Sequence, residues 1–143
     1  MKAAIHTTYG PPEVLQVTEV EKPLPKDHEI LVKVSATTVT SGDVRLRGSD
    51  FPPLFWLPAR LLFGLFRPKK QILGHELSGT VEAVGSKVTQ FEVGDAILGT
   101  TTMLKGGSHA EYVCLPETWK QGVILHKPNE LSFKEAAALP IGE

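Results

Sequence analysis

A single cysteine, Cys114, excludes an intramolecular disulfide and any zinc cluster built from several thiolates. The N-terminal stretch MKAAIHTTYG lacks the apolar core of a signal peptide. No uninterrupted apolar run approaches the roughly 20 residues that a transmembrane helix needs, so the cytoplasm is the expected location. Net charge is scarce as well: a formal −1 gives no global electrostatic reason to bind nucleic acid. Arg67, Lys69 and Lys70 form the one small basic cluster, read as a solvated turn. Also missing is a glycine-rich turn between a strand and a helix, because GPP, GGS and VGSKVTQ lack the spacing that cradles a pyrophosphate.

The composition, 41% hydrophobic and 22% charged over 143 residues, is that of one globular domain with a real core. EILVKVSATTV, from Glu29 to Val39, alternates Ile30, Val32 and Val34 with more polar neighbours, the period of a half-buried strand. LQVTEVEKP repeats that pattern more weakly, and the two are expected to pair across the turn at LPKDHE. LSGTVEAVG, DAILGTT and SHAEYVCLP supply three more strands, set apart by the turn-rich SKVTQFEVG and LKGGS. Many short strands with glycine corners predict a mainly β fold with short helices, an antiparallel barrel or sandwich. Ser132 and Glu135 stand in capping-box spacing before an alanine run that Pro140 stops, which predicts a short helix over Ser132 to Leu139.

Phe51 to Lys70, FPPLFWLPARLLFGLFRPKK, breaks this rhythm. It is densely apolar and aromatic, yet prolines and Arg60 interrupt it. Three readings stay open: a helical excursion packed on the core, a flexible flap walling an apolar pocket, or an interfacial membrane contact.

In order, GPPEVLQVTEVEKPLPKDHEILVKVSATTVTSGDVRLRG, ILGHELSGTVEAVGSKVTQFEVGDAILG, GSHAEYVCLP and LSFKEAAALPIG cover nearly the whole chain. Together they resemble the N-terminal GroES-like domain of the medium-chain dehydrogenase/reductase superfamily, nearest its zinc-independent quinone oxidoreductase branch. The resemblance implies a partly open antiparallel β-barrel over residues 1–143, with an apolar insertion at 51–70. It also implies a fragment, the substrate-side half of a reductase whose Rossmann domain lies outside this chain. That parent would be about twice as long or more by usual domain sizes, and a homodimer through the absent domain.

His75 and Glu76, in QILGHELSG, stand where a metal ligand and its supporting acid belong. A catalytic zinc takes three protein ligands and keeps one position open. In zinc-dependent alcohol dehydrogenases, which the chain also resembles, the two cysteine positions fall on Thr40 and near Ile141, so only His75 survives. A hydroxyl and an aliphatic side chain cannot replace two thiolates, and the expected cofactors are NADPH or NADH without zinc. His75 is then either a partly buried histidine bonded to backbone or Glu76, or a cleft residue that donates to a carbonyl oxygen as hydride arrives. By resemblance, Thr40 and Ser41 face the nicotinamide, and Thr40, Arg45 and His75 are the candidate catalytic residues. Where many relatives have a tyrosine this chain has Arg45, which either polarises an oxygen or holds a phosphate, or else pairs with Asp43 on a helix surface. Asp43, Phe55 and Trp56 are assigned to the substrate pocket.

Two functional classes follow. One is an NAD(P)H-dependent reductase of quinones, α,β-unsaturated carbonyls or other carbonyls, acting on a small apolar acceptor. The other is a non-catalytic GroES-like binding module, since fold does not dictate function. The GHE block and the terminal alanine-rich helix favour the first.

Overall fold

The computed structural model describes residues 1–140. Its elements run β1 (Lys2–Ile5), β2 (Gln16–Glu19), β3 (Glu29–Thr37), α1 (Ser41–Gly48), α2 (Pro53–Phe63), β4 (Glu76–Val84), β5 (Ala96–Thr100), β6 (Tyr112–Pro116), β7 (Ile124–His126) and α3 (Phe133–Ala137). All the strand pairs are antiparallel. Five strands form one sheet in the order β6-β3-β4-β5-β7, and β1 and β2 form a separate ribbon. Isolated bridges, Ala3 with Ala110 and Ile5 with Ile72, dock that ribbon on the rest. The end strands β6 and β7 do not pair, so the sheet stays open, as expected of a mainly β, partly open barrel.

The alternation in β3 explains its place. Ile30 and Val32 are sealed in the core with Leu77 and Val81 of β4, Ile97 of β5 and Val113 and Leu115 of β6. Complete burial of each such side chain stabilises the fold by about 1.5–3 kcal/mol. Leu31 between them is buried too, so this part of β3 is covered on both faces. α3 packs across β3, β4 and β5 and buries Ala136 and Ala137. It starts as its sequence predicts: the Ser132 hydroxyl accepts the Glu135 N–H and the Glu135 carboxylate accepts the Ser132 N–H.

One expectation fails, and one of the three readings of 51–70 holds only in part. β2 pairs with β1 and not with β3. Both edges of β3 are already taken by β4 and β6, and Pro23 and Pro25, which lack N–H donors, carry the chain past in extended form. The 51–70 segment is helical, but it does not pack on the core; none of α2 is buried, and Phe66 beyond it is 85% exposed. α3 already covers the sheet face that a core-packed helix would need. α2 is held instead by aromatic and cationic contacts. The Arg60 guanidinium lies 4.0 Å from the Tyr9 ring centre and 5.0 Å from that of Trp56, while Phe51 and Phe63 stack at 5.9 Å. Tyr9 Oη donates to the Gly64 carbonyl at 2.7 Å. Among the described residues no helix is long and apolar enough to cross a membrane.

Candidate functional site

α1 and the start of β4 meet at one carboxylate. Thr40 caps α1: its hydroxyl accepts the Asp43 N–H at 3.3 Å, and Asp43 Oδ2 accepts from the Thr40 N–H at 2.9 Å and the Thr40 hydroxyl at 3.0 Å. This is a reciprocal cap, in which two otherwise orphaned donors satisfy each other's residues. The second oxygen, Oδ1, reaches across to β4 and accepts from the Gly74 N–H at 2.9 Å and from His75 Nδ1–H at 2.7 Å. Asp43 is only 2% exposed. Burial alone would push its carboxyl up, but the hydrogen bonds from His75, Thr40 and Gly74 outweigh it and hold the group well below the usual carboxylate range.

Gly74 makes this approach possible. Its φ is +102°, and a Cβ there would stand 2.2 Å from Ser108 Oγ and 2.8 Å from the His109 nitrogen. Only glycine fits. The neighbouring carbonyls are tied as well: the Thr101 hydroxyl donates to the Gly74 carbonyl, and the Thr101 N–H donates to the His75 carbonyl at 2.9 Å. Glu76 turns to the other side, where its carboxylate accepts from the Thr38 hydroxyl and its carbonyl from the Thr37 hydroxyl at 2.7 Å.

With Nδ1–H committed to Asp43, Nε2 is the remaining polar atom of the His75 ring, an acceptor when the imidazole is neutral and a donor when it is protonated. His75 lines a cavity of about 390 Å³, together with Leu46, Leu62, Phe63, Met103 and Leu104 as apolar walls and Lys69, Lys70, Lys105 and Thr102 as polar ones. Two larger hollows, of about 620 and 720 Å³, do not include His75. The smaller cavity is the candidate site, because it joins the His75 ring, fixed by the buried Asp43 carboxylate, to apolar walls.

The structure therefore brings Thr40, Asp43 and His75 into one network. Gly42 lies between them, a Cβ at that point being 3.4 Å from Thr40 Oγ1 and 3.7 Å from His75 Cε1. Ser41 is exposed at the start of α1. Arg45 is exposed and does not pair with Asp43; the carboxylate is turned inward and all its bonds go to Thr40, Gly74 and His75. Phe55 and Trp56 sit on exposed turns of α2, and neither lines the His75 cavity; Leu62 and Phe63 of the same helix do. Nor is the basic cluster wholly a solvated turn: Lys70 is half-buried in the cavity wall, and burial pulls its ammonium below the usual lysine range, with the Asp43 charge opposing. The sequence signal for this existed in Lys70 standing one residue before the GHE strand entry, QILGHE, rather than in a polar loop.

The donor set can be tested against the groups that the resemblance raises. Among the described residues no three His, Cys, Asp or Glu side chains converge on one point. Of the zinc positions, Thr40 carries a hydroxyl engaged by Asp43, and Ile141 lies outside the described residues. The described residues offer no three-ligand set for a catalytic zinc. A dinucleotide pyrophosphate fits no better, because the N-terminus of α1 is already occupied by the Asp43 carboxylate, which a phosphate would meet as a like charge.

Residues 26–128 match the family described as the alcohol dehydrogenase GroES-like domain. The quinone oxidoreductase of Lama guanicoe is 30% identical over 142 residues, which are 99% of this chain and 38% of that protein. A zinc-type alcohol dehydrogenase-like protein of Staphylococcus aureus is 29% identical over 128 residues, 90% of this chain and 32% of its own length. Among solved structures, the quinone oxidoreductase from Coxiella burnetii superposes with a TM-score of 0.80 at 31% identity, covering 99% of this chain and 41% of that one. The Escherichia coli quinone oxidoreductase complexed with NADPH superposes with a TM-score of 0.74 at 27% identity, covering 97% and 37%. The chain thus spans well under half the length of the proteins it matches.

Proposed function

Because this chain belongs to the alcohol dehydrogenase GroES-like domain family, we propose that it forms the substrate-side domain of a nicotinamide-dependent oxidoreductase. The parent reduces quinones or α,β-unsaturated carbonyls without a metal, in the cytoplasm, with NADPH as its reductant and as a homodimer. The observation that carries the reading is the Asp43–His75 couple at the wall of an apolar cavity. The quinone oxidoreductase names of several relatives and the NADPH in the E. coli structure support it.

The chain's own part is positioning and charge stabilisation. Reduction of an enone or quinone leaves negative charge on the acceptor oxygen. A histidine fixed through Nδ1 by a buried carboxylate can, in its protonated form, offer Nε2–H to that oxygen without reorganising, which is worth most in a site from which apolar walls exclude water. The nicotinamide would supply the hydride when bound, and its pyrophosphate belongs on a second, Rossmann-type domain, since the sequence has no glycine-rich strand-to-helix turn and the N-terminus of α1 is taken by Asp43. Thr40 and Ser41 form the edge of α1 that faces such a domain, and the 51–70 insertion contributes Leu62 and Phe63 to the acceptor wall.

Zinc-dependent alcohol oxidation is the competing reading, favoured by the zinc-type name of the S. aureus relative. The donor set at Thr40 and His75 counts against it. A screen on the longer parent decides: NADPH with quinones and enones, and NAD⁺ with alcohols, each before and after chelation. Expected is quinone or enone turnover that survives chelator in protein with far less than one zinc per chain. Chelator-sensitive alcohol oxidation with stoichiometric zinc would overturn the proposal.

A further inference from the structure

The His75 cavity has an electrostatic asymmetry that a neutral acceptor does not use. Its polar wall carries Lys69, Lys70 and Lys105 beside His75, and among the described residues no carboxylate lines it. Lys69 and Lys105 are exposed, with ammonium groups free to reach water. Lys70 differs from them. It is half-buried, and its one hydrogen bond is a long one, 3.5 Å, to the hydroxyl of Thr101. That hydroxyl has its own hydrogen committed to the Gly74 carbonyl. Among the described residues no carboxylate comes within ion-pair distance of Lys70. The acid whose field reaches it is Asp43, and that carboxylate is saturated by Thr40, Gly74 and His75.

An ammonium has three donors, and a partly desolvated one gains most from an anionic oxygen, which restores the hydration lost to burial. Leu46, Leu62, Phe63 and Leu104 line the same cavity, in a volume of about 390 Å³ that suits a small bicyclic ring system. We propose that this cavity is a binding site for an apolar molecule carrying one carboxylate, with Lys70 as the residue that holds the anionic group. The inference rests on the reading of the cavity as the acceptor site, and deepens it: preferred acceptors are apolar enones or quinones that bear an acid group. Lys70 here recognises the ligand, while His75 addresses the oxygen that is reduced.

The test is a comparison of two ligands of similar shape, one anionic and one neutral, 2-naphthoate and 2-naphthylmethanol, titrated into the 143-residue chain by calorimetry. Naphthoate is expected to bind roughly tenfold tighter or more, the ratio of a charge-assisted hydrogen bond over a neutral one. Lys70→Met, with Lys70→Gln as a second neutral replacement, is expected to erase the preference and leave the alcohol's affinity unchanged. Lys70→Arg and Lys105→Met are expected to keep it. Circular dichroism of each variant verifies the fold. Equal affinity for the two ligands in the unaltered chain, or a preference that survives both neutral replacements of Lys70, would overturn the proposal. A preference lost in Lys105→Met and kept in Lys70→Met would overturn it equally. Neither cofactor nor turnover enters this readout, so a parent that fails to reduce enones would refute the redox reading and leave the anion site standing.

Discussion

Replacing Asp43 separates its structural work from its effect on His75. Asp43→Ala removes an acceptor that serves the Thr40 N–H, the Thr40 hydroxyl, the Gly74 N–H and His75 Nδ1–H. Loss of the helix cap costs about 1 kcal/mol. The Gly74 N–H, buried beneath Ser108 and His109, is left without a partner at about 1–3 kcal/mol more. The expected total is about 2–4 kcal/mol, a large share of the roughly 5–15 kcal/mol that holds a domain together. Asp43→Asn is the sharper variant. With its carbonyl turned to Gly74 and His75, its NH2 faces the Thr40 N–H, donor against donor, at an expected cost of about 2 kcal/mol. The pH dependence fixes the cause. The folded pKa of Asp43 is depressed, so its contribution is present above the unfolded value near 4 and is lost as pH falls toward the folded one. Urea unfolding followed by tryptophan fluorescence should therefore show a gap between the unaltered chain and Asp43→Asn that is full at pH 7 and narrows as pH is lowered through 4 toward 3. Equal midpoints at pH 7, or a gap that does not change with acid, would refute this account of the network.

Two further predictions concern single atoms. Gly74→Ala is expected to cost about 2–4 kcal/mol and to lower the thermal midpoint by roughly 10 °C, since its Cβ meets Ser108 and His109 at a positive φ; calorimetric melting checks it, and a shift of a degree or two would refute the close approach. The Cys114 thiol is pushed up to about 11 by burial and then by the charge of Glu29, so an aromatic disulfide reagent at pH 8 should label the native chain slowly and the urea-unfolded chain fast; fast native labelling would contradict it.

The parts that could be read directly from the residues were those with local causes. The Ser132–Glu135 cap lies within four residues, and the alternation of Ile30, Val32 and Val34 needs no partner to be visible, so α3 and β3 stand where the sequence puts them. Partner choice is non-local, and there the reading failed. β2 carries a usable strand pattern, yet nothing in it says that the short β1, which pairs Lys2 with Glu19 across a proline-containing turn, is a better partner than β3. The link from Asp43 to His75 crosses 32 residues, and without it Asp43 looks like a helix-surface acid ready to pair with Arg45. The abundance of leucine and phenylalanine in 51–70 suggested burial; the fold denies α2 a sheet face and leaves it tethered by Arg60. Lys70 was misread for the converse reason, as a charge in a run of charges usually faces water, and only the cavity around it reveals otherwise.

The bond from Asp43 to Gly74 and His75 also fixes where the chain is free to vary. It closes a loop whose two ends are clamped by one buried carboxylate, and α2 lies inside that loop with none of its residues buried. Lengthening a closed loop raises its entropic cost only with the logarithm of its length, about 0.6 kcal/mol per doubling. The segment 51–70 is in this sense an exchangeable cassette: it can be shortened, extended or re-lettered without moving the imidazole, while each version presents a different roof to whatever lies beneath. The fixed Asp43–His75 pair and the exposed helix thus lie on opposite sides of a single hydrogen-bonded knot.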